Sequence, residues 1–180
     1  RFAGRWGELI FVVYPNIESG RKQYADLKAA VAEAGRDPEK VFVAPACYVC
    51  VGETRAIAEA KREAILELSK PVDGLVLLSE VTNFDFASKD LDSEFTDEEL
   101  QKMSWTGFKD RVVMLSGKPN PTVRDFVHFS GRGTIKEFPN FVGTPSDVAD
   151  QMEEWFTTRA CDGFVLAATL HRNFGDWFAT

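Results

Sequence analysis

The chain has 180 residues, a net charge of −7, 44% hydrophobic residues and 27% charged residues. That size and composition suit one soluble domain with a substantial core. The acidic balance argues against a broad nucleic-acid surface, which needs clustered Lys and Arg to displace counterions, and no apolar run approaches a membrane span. The chain opens at Arg1 without a signal peptide and ends in NFGDWFAT. Both ends read as cut, so a longer parent protein is expected.

Residues 7–16, GELIFVVYPN, are a short apolar run ended by Pro and Asn, which predicts a fully buried strand. Ser19 is the expected cap of the next helix, with Tyr24, Leu27, Val31 and Ala34 on one face and Gly35 as its stop. RDPEK then turns the chain into a second strand over 41–51, ended by Gly52. ETRAIAEAKREAILELS predicts a second helix with Ile57, Ala60, Ala64, Ile65 and Leu68 along one stripe. From Lys70 the pattern breaks, and about 70–105 reads as an insertion of the kind that forms lids or pocket walls. TDEEL within it looks like a short helix start, and helices through TGFKDRVVMLSG and TVRDFVHFSG follow.

VGTPSDVADQMEEWF, residues 142–156, reads as a helix opening after a strand and a tight turn. Thr144 is the expected N-cap, Pro145 the first helical residue and Asp147 its capping-box partner. Val148, Ala149, Met152, Trp155 and Phe156 form a wide apolar face. Such an opening either holds a phosphate or is simply well capped. CDG leads into GFVLAAT, a third buried strand. The alternation predicts a parallel α/β arrangement, and so few strands suit part of a β/α barrel better than a complete domain.

Cys47 and Cys50 have thioredoxin or zinc-ligand spacing but lie inside a predicted strand. Residues three apart in a strand point to opposite faces about 10 Å apart, beyond the roughly 7 Å a disulfide spans. Buried structural thiols are the better reading and redox or metal chemistry the other, which fits a cytoplasmic, reducing location. No second Cys or His pair completes a metal site. In a β/α barrel, chemistry lies at the carboxyl ends of the strands: Tyr14 to Asn16, Cys50 to Thr54, and Ala168 to His171. His171 there is either a flavin or substrate contact or an exposed loop histidine. His128 lies in a helical pattern, in the core or on the helix surface. SGRGT, residues 130–134, resembles an anion loop with an Arg beside it, yet fits no nucleotide fingerprint and also reads as a helix-ending turn. SEVTNFDFASKDLD, residues 79–92, offers Ser79, Thr82 and Asn83 beside aromatics, as a pocket lid or a solvated loop. Its acids match no calcium-loop spacing.

GTPSDVADQMEEWF followed by ACDGFVLAAT resembles the flavin-dependent monooxygenases of the bacterial luciferase-like superfamily, in the branch of nitrilotriacetate monooxygenase component A. RFAGRWGELIF, AGRDPEKVFVAPACYVCVGETRAIAEAK and LSGKPNPTVRDFVHFSGRGTIKEFPNFVGTP carry the likeness nearly end to end. The resemblance implies an α/β fold, a TIM (β/α)8 barrel of the luciferase-like type. On that likeness this chain resembles its C-terminal part with an insertion before the last strand, and one domain over 1–180 is expected. Family members are about twice this length or more, and their flavin-phosphate loop would lie just before Arg1. In the family the helix at Thr144 is scaffold.

The implied activity is that of an FMN-dependent oxidoreductase. Reduced FMN from a separate flavin reductase activates dioxygen, and one oxygen atom enters a small aminopolycarboxylate or organosulfur substrate. Tyr14, Asn16, Thr169 and His171 are the candidate pocket walls, and Ser79, Thr82 and Asn83 the candidate lid. Relatives often read AATH where this chain reads AATLH, so a histidine role is not carried directly onto His171. Catalytic residues are not assigned and no metal is implied. A deazaflavin-dependent hydride transferase and a non-catalytic half-barrel are the alternatives, and a homodimer is compatible with each.

Overall fold

The computed structural model describes residues 2–104 and 106–167. The elements in chain order are α1 (Phe2–Trp6), β1 (Leu9–Val12), α2 (Ile17–Glu33), β2 (Phe42–Val51), α3 (Arg55–Leu68), α4 (Pro71–Thr82), α5 (Asp97–Lys102), α6 (Thr106–Ser116), α7 (Val123–Ser130), β3 (Asn140–Gly143), α8 (Pro145–Thr157) and β4 (Val165–Ala167). The described residues form two compact units: 2–65 with 138–167, and 66–137.

The first unit is built on a parallel sheet. β2 is the long central strand, pairing with β1 from Leu9 opposite Phe42, with β3 from Tyr48 opposite Asn140, and with β4 from Ala46 opposite Val165. Val43, Cys47 and Val49 of β2 and Phe141 of β3 pack with Tyr14, Tyr24 of α2, and Val148 and Trp155 of α8. Helices therefore cover that face of the sheet, as in a β/α barrel segment. Besides the three strands given bounds from the sequence, the strand read before the Thr144 turn is present as β3, which makes four. Its four residues are too few to show a period.

The expected full burial of the first strand does not hold: Leu9 and Phe11 are 65% and 58% exposed. They lie on the face opposite the helices. Val165 and Leu166 of β4 are exposed as well, so the last strand is not the buried one predicted.

Local signals act as follows. Asn16, rather than Ser19, caps α2: its side-chain oxygen accepts from the Ser19 N–H at 2.9 Å. The helix begins at Ile17, so Ser19 supplies one of the first-turn amides that lack an intrahelical acceptor. Gly35, at φ +75°, ends the helix as expected. On α3 the predicted stripe is turned outward, with Ile57 and Leu68 exposed, and only Ala58 is buried. Gly52 sets that facing, because a Cβ there would lie 2.6 Å from the Ala58 amide nitrogen. The α8 capping box forms as predicted, but Ala149 and Phe156 are exposed beside buried Val148 and Trp155.

Asp162, just before β4, ties distant elements together. Its Oδ1 accepts from the Tyr24 hydroxyl at 2.7 Å, its Oδ2 accepts from the Val43 N–H at 2.8 Å, and Lys28 Nζ lies 2.9 Å from Oδ2. Lys28 also donates to the Pro38 and Val41 carbonyls at 2.8 and 2.6 Å. Polar groups at this amino-terminal end of the strands stabilise a barrel rather than serve its chemistry.

The second unit has a core of its own: Leu78, Phe86, Phe95, Leu100, Met103, Val112, Val123 and Phe126. The Phe86, Phe95 and Phe126 rings meet edge to face with centroids 5.0–5.4 Å apart, the geometry their quadrupoles favour. Capping boxes Thr96–Glu99 and Thr122–Asp125 start α5 and α7. PVDGLVLLSEVT, in the stretch where the sequence pattern breaks, is the helix α4, with Pro71 in its first turn and Asn83 at φ +52° after its end.

Candidate functional site

Successive strand residues point to opposite faces. Since Val43, Cys47 and Val49 face the helices, Ala44, Ala46, Tyr48 and Cys50 lie on the opposite face, together with Asn140 and Val142 of β3, and Ala44, Ala46 and Cys50 are buried there. This face is apolar along Leu9, Phe11 and Phe42, which are exposed. Its polar groups gather at the carboxyl end. Tyr48 stands opposite Asn140 in the register, and its ring lies 5.3 Å from that of Phe138. Asn140 Nδ2 donates to the Phe138 carbonyl at 2.7 Å, which fixes the amide. An apolar wall ending in a phenol and an amide can orient a flat, largely apolar ligand by its polar edge. Sequence reasoning missed Tyr48 and Asn140. The alternation within VFVAPACYVC carries a signal for Tyr48 once one inward residue is known.

The residues singled out from sequence are placed as follows. Tyr14 is fully buried on the helix side, and its hydroxyl is buried with no hydrogen-bond partner among the described residues. Burial, reinforced by the Cys161 and Asp162 charges, pushes its pKa up to about 12. Asn16 is the α2 cap. Ser79 Oγ donates to the Leu75 carbonyl at 2.9 Å and accepts from the Phe86 N–H at 3.2 Å. Thr82 is buried and donates to the Leu78 carbonyl at 2.7 Å. Ser79, Thr82 and Asn83 thus share the last part of α4 and its end, in the second unit, while Tyr14 and Asn16 are in the first. Thr169 and His171 lie outside the described residues.

The orphaned Tyr14 hydroxyl yields a prediction. Tyr14→Phe removes a buried donor with no partner among the described residues, so it should leave stability unchanged or raise it by up to about 1–3 kcal/mol. A urea midpoint below that of the parent would contradict this.

Cys47, Cys50 and Cys161 are buried and form no disulfide. Burial pushes Cys47 up to about 12 and Cys161 up to about 11, so these two thiols stay protonated and unreactive near neutrality. Among the described residues no group of three His, Cys, Asp or Glu could hold a metal. His128 is exposed in the last turn of α7, its ring 4.7 Å from that of Phe129. Gly131, at φ +72°, makes SGRGT a helix-ending turn.

The start of α8 is a cap. Asp147 Oδ2 accepts from the Thr144 N–H and hydroxyl, each at 2.9 Å, and Arg55 reaches Oδ1 at 2.9 Å. That carboxylate holds the place an anion would take. The Thr144 N–H and hydroxyl, with Arg55, keep its pKa below the usual range. A depressed carboxylate stabilises the fold above its unfolded pKa and loses that contribution as pH falls through the folded one. Thermal midpoints should therefore drop from pH 6 to pH 3 less steeply in Asp147→Asn than in the parent, and parallel curves would count against the cap.

The model for the family described as luciferase-like monooxygenase matches residues 1–162. The chain belongs to that family. N-acetyl-S-(2-succino)cysteine monooxygenase of Bacillus subtilis (strain 168) is 32% identical to this luciferase-like chain over 171 residues, covering 93% of the chain and 38% of the relative. Nitrilotriacetate monooxygenase component A of Aminobacter aminovorans is 29% identical over 178 residues, covering 97% and 39%. The crystal structure of DmoA from Hyphomicrobium sulfonivorans superimposes with a TM-score of 0.71 at 29% identity, covering 95% of this chain and 35% of that one. The fold is thus the luciferase-like TIM barrel in part, and the chain spans less than two fifths of the length of these relatives. Among the described residues no helix is long and apolar enough to cross a membrane.

Proposed function

We propose that this luciferase-like chain is the carboxyl-terminal part of a flavin-dependent monooxygenase. The enzyme takes reduced FMN from a partner flavin reductase and uses dioxygen to oxidise a small organic substrate of the aminopolycarboxylate or organosulfur type. The observation that carries the reading is the family match over residues 1–162, supported by relatives named as monooxygenases of nitrilotriacetate, N-acetyl-S-(2-succino)cysteine and dibenzothiophene sulfone.

The residues present fit a flavin. The sheet face opposite the helices offers an exposed apolar wall at Leu9, Phe11 and Phe42, and Tyr48 and Asn140 towards its carboxyl end are the groups that would hold a ring's polar edge. Bound reduced FMN supplies the activation of dioxygen and the transfer of one oxygen atom. The chain's own part is to exclude water along Phe11 and to orient the ring at Tyr48 and Asn140. Thr169 and His171 after β4, and Ser79, Thr82 and Asn83 as a lid on the 70–105 insertion of a single domain, belong to the same proposal. So do a cytoplasmic location and a homodimer.

The test is anaerobic titration of the full natural protein with reduced FMN, followed by admission of isotopically labelled dioxygen with nitrilotriacetate or dibenzothiophene sulfone as probe substrate. Saturable FMN binding and one labelled oxygen in the product are expected. Binding of a deazaflavin in preference to FMN, or of no flavin at all, would overturn the reading.

A further inference from the structure

The SGRGT turn does more than end α7. Gly133, at φ +76°, lies against α4: a Cβ on it would sit 3.1 Å from the Gly74 Cα and amide nitrogen, and a Cβ on Gly74 would sit 3.0 Å from the Arg132 carbonyl oxygen. Two glycines facing each other let the 131–136 loop rest directly on the first turns of α4. The result is a cleft of about 640 Å³ within the second unit, lined by both segments and by α7, a size typical of small-molecule sites.

The charge of that cleft is opposite to the chain's. Lys70, Arg124, Arg132 and Lys136 line it against Asp125 alone, with His128 also on its wall, in a protein of net charge −7. Some of these charges are already spent. Arg124 grips Asp92 through two bonds of 2.7 and 2.9 Å, Arg132 pairs with Glu137, and Asp125 is held by Lys118 at 2.7 Å. Lys70, Lys136 and His128 make no ion pair among the described residues. The lining acid is thus neutralised by a residue outside the cleft, while two lysines remain available inside it.

We propose that this cleft binds a compact multivalent oxyanion, a small tricarboxylate or a phosphate, with Lys70 and Lys136 as its charge partners. Such a ligand gains charge-assisted hydrogen bonds from both ammonium groups. The site is contained in the second unit and does not depend on the oxygenase reading. Binding weakens as salt is added, because both lysines are exposed.

Calorimetric titration of the chain at low ionic strength with tricarballylate and, separately, inorganic phosphate tests it, the stronger probe telling which source the cleft suits. Saturable binding of at least one probe is expected, and the double variant Lys70→Gln/Lys136→Gln should lose at least about tenfold in affinity. Lys102→Gln removes a lysine paired with Glu98 on α5, away from the cleft, and should bind as the parent does. Circular dichroism of the double variant should match the parent, since both lysines are exposed. The proposal fails if neither probe binds saturably, if the double variant binds undiminished, or if Lys102→Gln loses as much.

Discussion

Asp162→Ala should cost about 3–5 kcal/mol of stability, the usual penalty for removing one partner of a buried, hydrogen-bonded ion pair. Asp162 and Lys28 are 17% and 11% exposed at the side chain, so solvent screens them little. The substitution strands three donors at once: the Tyr24 hydroxyl, the Val43 amide and part of the Lys28 ammonium. Val43 is on β2 and Tyr24 and Lys28 on α2, so the loss loosens the central strand from its covering helix. Chemical denaturation of the variant gives the value directly, and a loss under about 1 kcal/mol would show that the cluster carries little. Removing both charges, as Asp162→Leu with Lys28→Met, should cost less than Asp162→Ala alone, because buried pairs often replace well with apolar groups.

Phe126→Ala should cost a similar amount, about 3–5 kcal/mol, by opening a cavity in the second unit. Phe126 is fully buried and packs edge to face on Phe86 and Phe95 at 5.3 and 5.0 Å. Truncation removes the ring that links those two to α7, and each aromatic pair adds about 0.5–1.5 kcal/mol beyond the buried area. Because the second unit has its own core, amide exchange protection should fall across residues 66–137 while β2 keeps its protection. Equal loss in both units would show a shared core instead.

Much of the local structure was written in short stretches of sequence. TPSD carries the Thr144–Asp147 capping box, TDEE the Thr96–Glu99 box, and Gly35 the end of α2. In each case every interacting group lies within a few residues, so the chain needs no knowledge of its fold to form them. The β2 strand and the burial of its two cysteines were equally legible, because a continuous apolar run bounded by turns has few alternatives. The order and spacing of motifs also carried the family.

What the sequence left open was facing and long-range pairing. An apolar stripe on α3 could be read, but the close approach of Ala58 to Gly52 decides which side is inside. The Asp162 cluster joins residues 119 and 138 positions apart, and no window of sequence holds both partners. Tyr48 and Asn140 are neighbours only through the β2–β3 register, and Lys70 and Lys136 share a cleft only because two glycines let a loop settle on α4. Helix caps, stops and the strand-forming run were therefore determined by the sequence alone, since their energies are local. The sheet face opposite the helices, its polar edge and the cationic cleft were decided by tertiary structure, because each depends on which distant segments come into contact.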